Sequence, residues 1–160
     1  MRSFIFVILQ IVFLITISAQ SDTSFRVNID GIEKTVSEIK KNGASYKKSE
    51  KYRDSLGARY AFTRDGELMF TRAQISEPVV NKKVEWYFDH GQIIFCEQTW
   101  TVISSGQIFN HERLYLKNGK LLLWLNTEKK EVDPKSNAFK ETEFYLVDYS
   151  KTLLKEAKEN

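Results

Sequence analysis

Three dipeptides, Asp65-Gly66, His90-Gly91 and Asn118-Gly119, each sit between two runs rich in aromatic and aliphatic residues. A two-residue turn of this type needs positive φ at both positions, which glycine and a preceding Asp, Asn or His tolerate, and its twist matches that of two antiparallel strands. Each dipeptide therefore predicts a tight hairpin. A looser turn at Ser104-Ser105-Gly106-Gln107 joins the second hairpin to the third, and Glu77-Pro78 separates the first from the second, where a proline is tolerated. The expectation is six strands in meander order over about residues 57–126.

The flanks read differently. Ile29, Ile32, Val36 and Ile39 recur at helical steps, Asp30 with Glu33 fits a capping box and Gly43 can stop the helix, which predicts a helix over about 30–41. Residues 44–55 are polar and without period, as a surface connector would be. After a polar linker, residues 136–158 place Phe139, Leu146, Val147, Ser150, Leu153, Leu154 and Ala157 on one stripe, predicting a closing helix that docks on the sheet. The fold class expected is α+β: a six-stranded antiparallel meander sheet flanked by an N-terminal helix and a C-terminal helix.

Residues 1–19 read as a signal peptide. Met1-Arg2-Ser3 is a short basic start, Phe4 to Ile17 is an almost unbroken apolar run, and Ser18-Ala19 supplies small residues before Gln20. Those 14 residues reach only ~21 Å as a helix, short of the ~30 Å hydrocarbon core that an anchor must cross. A single mature domain over 20–160, secreted or periplasmic and with no stable membrane span after cleavage, is the expected product. Cys96 is the only cysteine, so no internal disulfide is possible and the fold must rest on its apolar core. The formal charge of +3 falls to +2 without residues 1–19, which gives no case for nucleic acid as a partner. Lys40, Lys41, Lys47, Lys48 and Lys51 gather near the first helix, where a polyanion could dock, but a solvated helix end and loop is the preferred account.

The hairpins look like copies of one unit: an aromatic stands four residues before each glycine (Phe62, Tyr87, Tyr115) and an aliphatic two after it (Leu68, Ile93, Leu121). Tyr87-Phe88-Asp89-His90-Gly91-Gln92-Ile93 and Tyr115-Leu116-Lys117-Asn118-Gly119-Lys120-Leu121 resemble the divergent MORN-type repeats of bacterial exported proteins, with their Tyr, glycine turn and following Leu. The chain as a whole also resembles small exported proteins of Bacteroidetes-type bacteria. These resemblances imply an envelope location and no particular activity.

Counting outward from the turns assigns faces. Phe88 should oppose Ile93 and Trp86 oppose Phe95; Leu116 should oppose Leu121 and Leu114 oppose Leu123; Ala61 should oppose Phe70. This would be the core face, with Arg59, Arg72, Glu97 and Glu112 as a charge cluster at one end. The reverse face would collect Tyr87, Glu85, Cys96, Tyr115, Gln98, Arg113, Trp124, Trp100, His111 and Asn126, with Arg113 opposite Trp124 and Trp100 beside His111. Trp100, His111, Arg113, Tyr115, Trp124 and Tyr87 are the candidate binding residues, suited to a protein, peptide or glycan if the face is open and to ordinary packing if a helix covers it.

Catalytic and metal-binding readings find little to stand on. With two histidines a three-histidine zinc site cannot form, and His90 is explained as a turn residue. Cys96 with His111 as its base would make a nucleophile pair, but the counted register sets them several rows apart and a half-buried structural thiol is the preferred account of Cys96. No catalytic residue, metal ligand or cofactor is assigned. The function expected is a non-enzymatic exported binding or scaffold protein using the aromatic face or a sheet edge. The alternatives are a small-ligand carrier with a cavity under the twisted sheet and a weak hydrolase.

Overall fold

The computed structural model describes residues 25–159, so the expected signal peptide and its cleavage point lie outside the described residues. The chain divides into two units, the first ending at Lys34 and the second beginning at Thr35. In the first, residues 25–34 are helical. In the second that helix, α1, continues to residue 42 and is followed by a 3-10 turn at Gly43–Ser45. Asp30 is therefore interior to α1 and caps nothing, whereas the apolar stripe is as expected: Ile32, Val36 and Ile39 are buried.

Seven strands follow, not six: β1 (Lys47–Arg53), β2 (Gly57–Arg64), β3 (Glu67–Ser76), β4 (Val80–Asp89), β5 (Gln92–Val102), β6 (Ile108–Lys117) and β7 (Lys120–Leu125). They form one antiparallel sheet in the order β1 to β7. The extra strand is β1, in the polar stretch read as a connector. It pairs with β2 from Lys47↔Thr63 to Arg53↔Ala58, so its place in the sheet comes from the otherwise open edge of β2 and not from any apolar alternation of its own.

Asp65, His90 and Asn118 have φ of 52°, 48° and 51°, and the glycines after them are also at positive φ, as the two-residue turns require. Each hairpin then carries a one-residue bulge at the same place. Thr63↔Leu68 is followed by Phe62↔Phe70, Phe88↔Ile93 by Tyr87↔Phe95, and Leu116↔Leu121 by Tyr115↔Leu123, leaving Met69, Ile94 and Leu122 without opposite numbers. A bulge shifts the returning strand by one residue and exchanges its faces beyond that point. The expected pairs Trp86 with Phe95, Leu114 with Leu123 and Ala61 with Phe70 are thereby replaced by Trp86↔Cys96, Leu114↔Trp124 and Ala61↔Thr71.

Helix α2 (Asn137–Lys158) covers one face. Ser136 caps it, its hydroxyl accepting from the Phe139 amide at 3.2 Å. Its stripe docks as expected: Phe139, Leu146 and Leu153 join Ala61, Trp86, Phe88, Cys96, Leu114 and Leu116 in one buried cluster, with Val147, Leu154 and Ala157 packed alongside. Arg59 projects from β2 on this face and donates to the Tyr149 hydroxyl and the Glu156 carboxylate of α2.

The opposite face carries Phe62, Phe70, Tyr87, Phe95 and Tyr115 in one row across β2 to β6. Ring centroids step along it at 4.1, 5.6, 5.8 and 4.9 Å. The end of α1 lies over this row, since Lys40 Nζ is 5.4 Å from the Tyr87 centroid and 5.9 Å from that of Phe95. The end of α1 and helix α2 thus take one face each.

Candidate functional site

Successive rows of this second face change character along the strands. Next to the aromatic row stand Arg72, Glu85, Glu97 and Arg113, in register on β3, β4, β5 and β6. Beyond them come Gln74, Lys83, Thr99 and His111, also in register. The bulges create this arrangement, because without them Arg72 and Glu97 would stand among the apolar residues of the α2 face.

Two carboxylates organise the charges. Glu85 is 2% exposed; it accepts from Arg72 Nε at 2.7 Å and from the Tyr87 hydroxyl at 3.2 Å, with Lys83 Nζ 3.3 Å away. A carboxylate this buried is tolerable only with such partners. Glu97 accepts from Lys40 Nζ at 2.7 Å and meets His111 Nε2 at 2.9 Å. Burial raises the Glu97 pKa, but the bonds from Lys40 and His111 outweigh it and hold the carboxyl below its usual range. Burial, then the Glu85 charge, pushes the Tyr87 phenol far up, so it remains a neutral donor.

A half-open cavity of about 460 Å³ lies against these groups, walled by Lys40, Arg72 and Lys83, with Glu85 as its acid and Phe62, Phe70 and Tyr87 behind. Arg72 has an uncommon environment. Its guanidinium carbon sits 5.5 Å from the Phe62 centroid and 5.6 Å from that of Phe70, its Nε is committed to Glu85, and among the described residues neither terminal nitrogen makes a hydrogen bond. A planar fork held in place with both terminal nitrogens available can take a carboxylate or phosphate through two parallel bonds.

The six sequence-derived binding residues do not form one surface. Tyr87, His111, Arg113 and Tyr115 lie on the α1 face, whereas Trp100 and Trp124 lie on the α2 face. Tyr87 and Tyr115 are each 1% exposed and serve as core. Arg113 lies over Phe95 and Tyr115, not Trp124. His111 is opposite Thr99, while Trp100 is opposite Asn110 and packs edge-on against Phe109 at 5.9 Å. Trp124 packs against the α2 cluster with its indole nitrogen buried and unbonded.

The four-residue charge cluster also divides. Arg59 is opposite Ala73 rather than Arg72, and each arginine has an acidic partner of its own, Glu156 and Glu85 respectively. Cys96 is 3% exposed and sits on the α2 face, the far side of the sheet from His111. Burial and then the charges of Glu112, Glu97 and Glu85 push its thiol far up, which leaves no thiolate to act as a nucleophile. Among the described residues no group of three or more His, Cys, Asp or Glu side chains is placed to hold a metal ion.

Sequence reasoning placed Arg72 in a charge cluster and Lys40 in a lysine group, passed over Lys83, and did not bring the three together. The signal that could have found them is the unbroken apolar triplet after each turn, Leu68-Met69-Phe70, Ile93-Ile94-Phe95 and Leu121-Leu122-Leu123, which simple alternation cannot accommodate. Comparisons with protein families, with curated proteins and with solved structures find no match to this chain.

Proposed function

We propose that the protein is an exported, non-enzymatic binding protein that holds a carboxylate- or phosphate-bearing solute in the cavity beside Arg72. The observation that carries this is the Arg72 fork: laid over two phenyl rings, fixed at Nε by a buried carboxylate, and open at both terminal nitrogens. Lys40 and Lys83 flank it, giving three cations to one carboxylate among the cavity walls, and the cavity volume of about 460 Å³ suits a small solute. Export rests on residues 1–19. N-terminal sequencing of protein from its host should begin at or near Gln20, and a start at Met1 would remove that part of the reading.

The test of the site is a titration with propionate and methyl phosphate followed by amide chemical shifts. Shifts at Arg72, Lys83 and Glu85 are expected. R72K keeps the charge and loses the planar fork, so affinity should fall about tenfold, equivalent to about 1.4 kcal/mol. If neither anion perturbs these residues at millimolar concentration, the proposal fails.

A second reading, a scaffold that meets a partner protein, is favoured by one observation. Val79, Ile103, Ile108 and Phe109 are 68, 49, 54 and 44% exposed at the far end of the sheet beside Trp100. Ile103→Glu with Ile108→Glu should abolish co-purification of such a partner, and an unchanged set of co-purifying proteins would count against it.

A further inference from the structure

The α1 face does not end at the charged row. Past Lys83 it carries Gln74 and Ser76 on β3, Asn81 on β4, and Thr99 and Thr101 on β5, in register as Gln74↔Lys83↔Thr99 and Ser76↔Asn81↔Thr101. These residues line a second hollow of about 470 Å³, and Lys83 belongs to the walls of both. Among the described residues, none of these five polar side chains makes a hydrogen bond within the protein. From Arg72 to Ser76 is four residues along β3, ~13 Å of strand.

We propose that the two hollows form one site for an acidic glycan, with a sugar-borne carboxylate seated on Arg72 and the following sugar rings lying along the polar groove. This rests on the anion-binding reading above and gives it a ligand class. Amide and hydroxyl groups both donate and accept, as sugar hydroxyls do, so an uncharged row of them matches a polyhydroxylated chain without demanding one orientation at each contact. Lys83, at the junction, can meet a second carboxylate through the donors that its single 3.3 Å contact leaves over.

Two other polymers fit less well. An extended peptide draws its affinity from backbone pairing at a sheet edge, and β3, β4 and β5 are each paired on both sides. Single-stranded nucleic acid needs exposed rings for its bases, and here Phe70, Tyr87, Phe95 and Tyr115 are 4% exposed or less.

The experiment compares four probes by calorimetry on the protein as isolated: monomeric galacturonate, its trimer, a neutral galactose trimer and an acidic hexapeptide. The acidic trimer should bind about tenfold or more tightly than the monomer, and the neutral trimer and the peptide more weakly than the acidic trimer. Asn81→Ala with Thr101→Val should bring the trimer down to the monomer's affinity and leave the monomer unchanged, while R72K weakens both. Circular dichroism checks that each variant is folded. Equal affinity for monomer and trimer would overturn the glycan groove while the anion site stands. Tighter binding of the peptide would overturn the ligand class. Failure of both galacturonates, with propionate and methyl phosphate also silent, would remove the anion site and the groove with it.

Discussion

Glu97 shows what single side chains contribute on the α1 face. It receives Lys40 from the end of α1 and His111 from β6, so its carboxylate ties a helix and two strands together. Its pKa is lowered on folding, the bonds from Lys40 and His111 outweighing burial. A group whose folded pKa is depressed lends stability above its unfolded value, and that stability is lost as pH falls through the folded value. The unfolded reference is about 4.3, so the loss should begin near there and continue below it. Thermal unfolding between about pH 6 and pH 3 should therefore fall more steeply in the natural protein than in E97Q, which has no proton to gain. Parallel acid limbs in the two proteins would show that Glu97 holds nothing. Neither partner of Glu97 was legible from counting residues, because Lys40 reads as one of several lysines at a helix end and His111 is fourteen residues away.

At the scale of the element, the hairpins were legible in their turns and misread in their faces. Glycine after Asp, His or Asn states the local conformation directly, and the positive φ values at all three sites follow from it. What happens two residues later depends on packing: leaving Met69, Ile94 and Leu122 unopposed lets Phe70, Phe95 and Leu123 join the α1 face. Three hairpins with the same bulge at the same offset make the repeat structural as well as sequential. Deleting Ile94 should expose the cost of undoing one copy. The shortened β5 could restore simple alternation, but only by turning Phe95 toward α2 and Cys96 toward α1, which breaks both the aromatic row and the Arg72-Glu85-Glu97 row. Phe95 is 1% exposed, and losing one large buried side chain costs ~3–5 kcal/mol. We expect the deletion to destabilise by at least that much in chemical denaturation, and more than the truncation Ile94→Ala, because Ile94 is only partly buried. If deletion and truncation cost the same, the bulge would not be what sets the faces.

For the sheet as a whole, the open question for a seven-strand meander is what becomes of its two edges. The β7 edge is partly closed by the chain that follows it, through the Leu125↔Glu131 bridge and the Val132 amide donating to the Trp124 carbonyl at 2.9 Å. Among the described residues the β1 edge has no such strap; its seven residues are Lys-Lys-Ser-Glu-Lys-Tyr-Arg. This is why β1 escaped detection: a strand paired on one side only needs no apolar alternation, and its residues were chosen by the edge, not by the core. Cations along an edge repel a second copy approaching with the same charges, and so block the edge-to-edge pairing that bare strands invite. The lysine cluster read as a helix end and loop is, at Lys47, Lys48 and Lys51, this guard. Two of them also work within the fold, as Lys48 Nζ lies 3.8 Å from the Tyr60 centroid and Lys51 Nζ donates to the Glu159 carbonyl at 2.5 Å. Replacing Lys47, Lys48 and Lys51 by threonine removes the repulsion and raises strand propensity together. Sedimentation velocity should then show a concentration-dependent dimer where the natural protein stays monomeric, with the dimer weakened when proline is placed at Ser49 on the same edge. A variant that remains monomeric at all concentrations would mean that charge is not what keeps this edge apart.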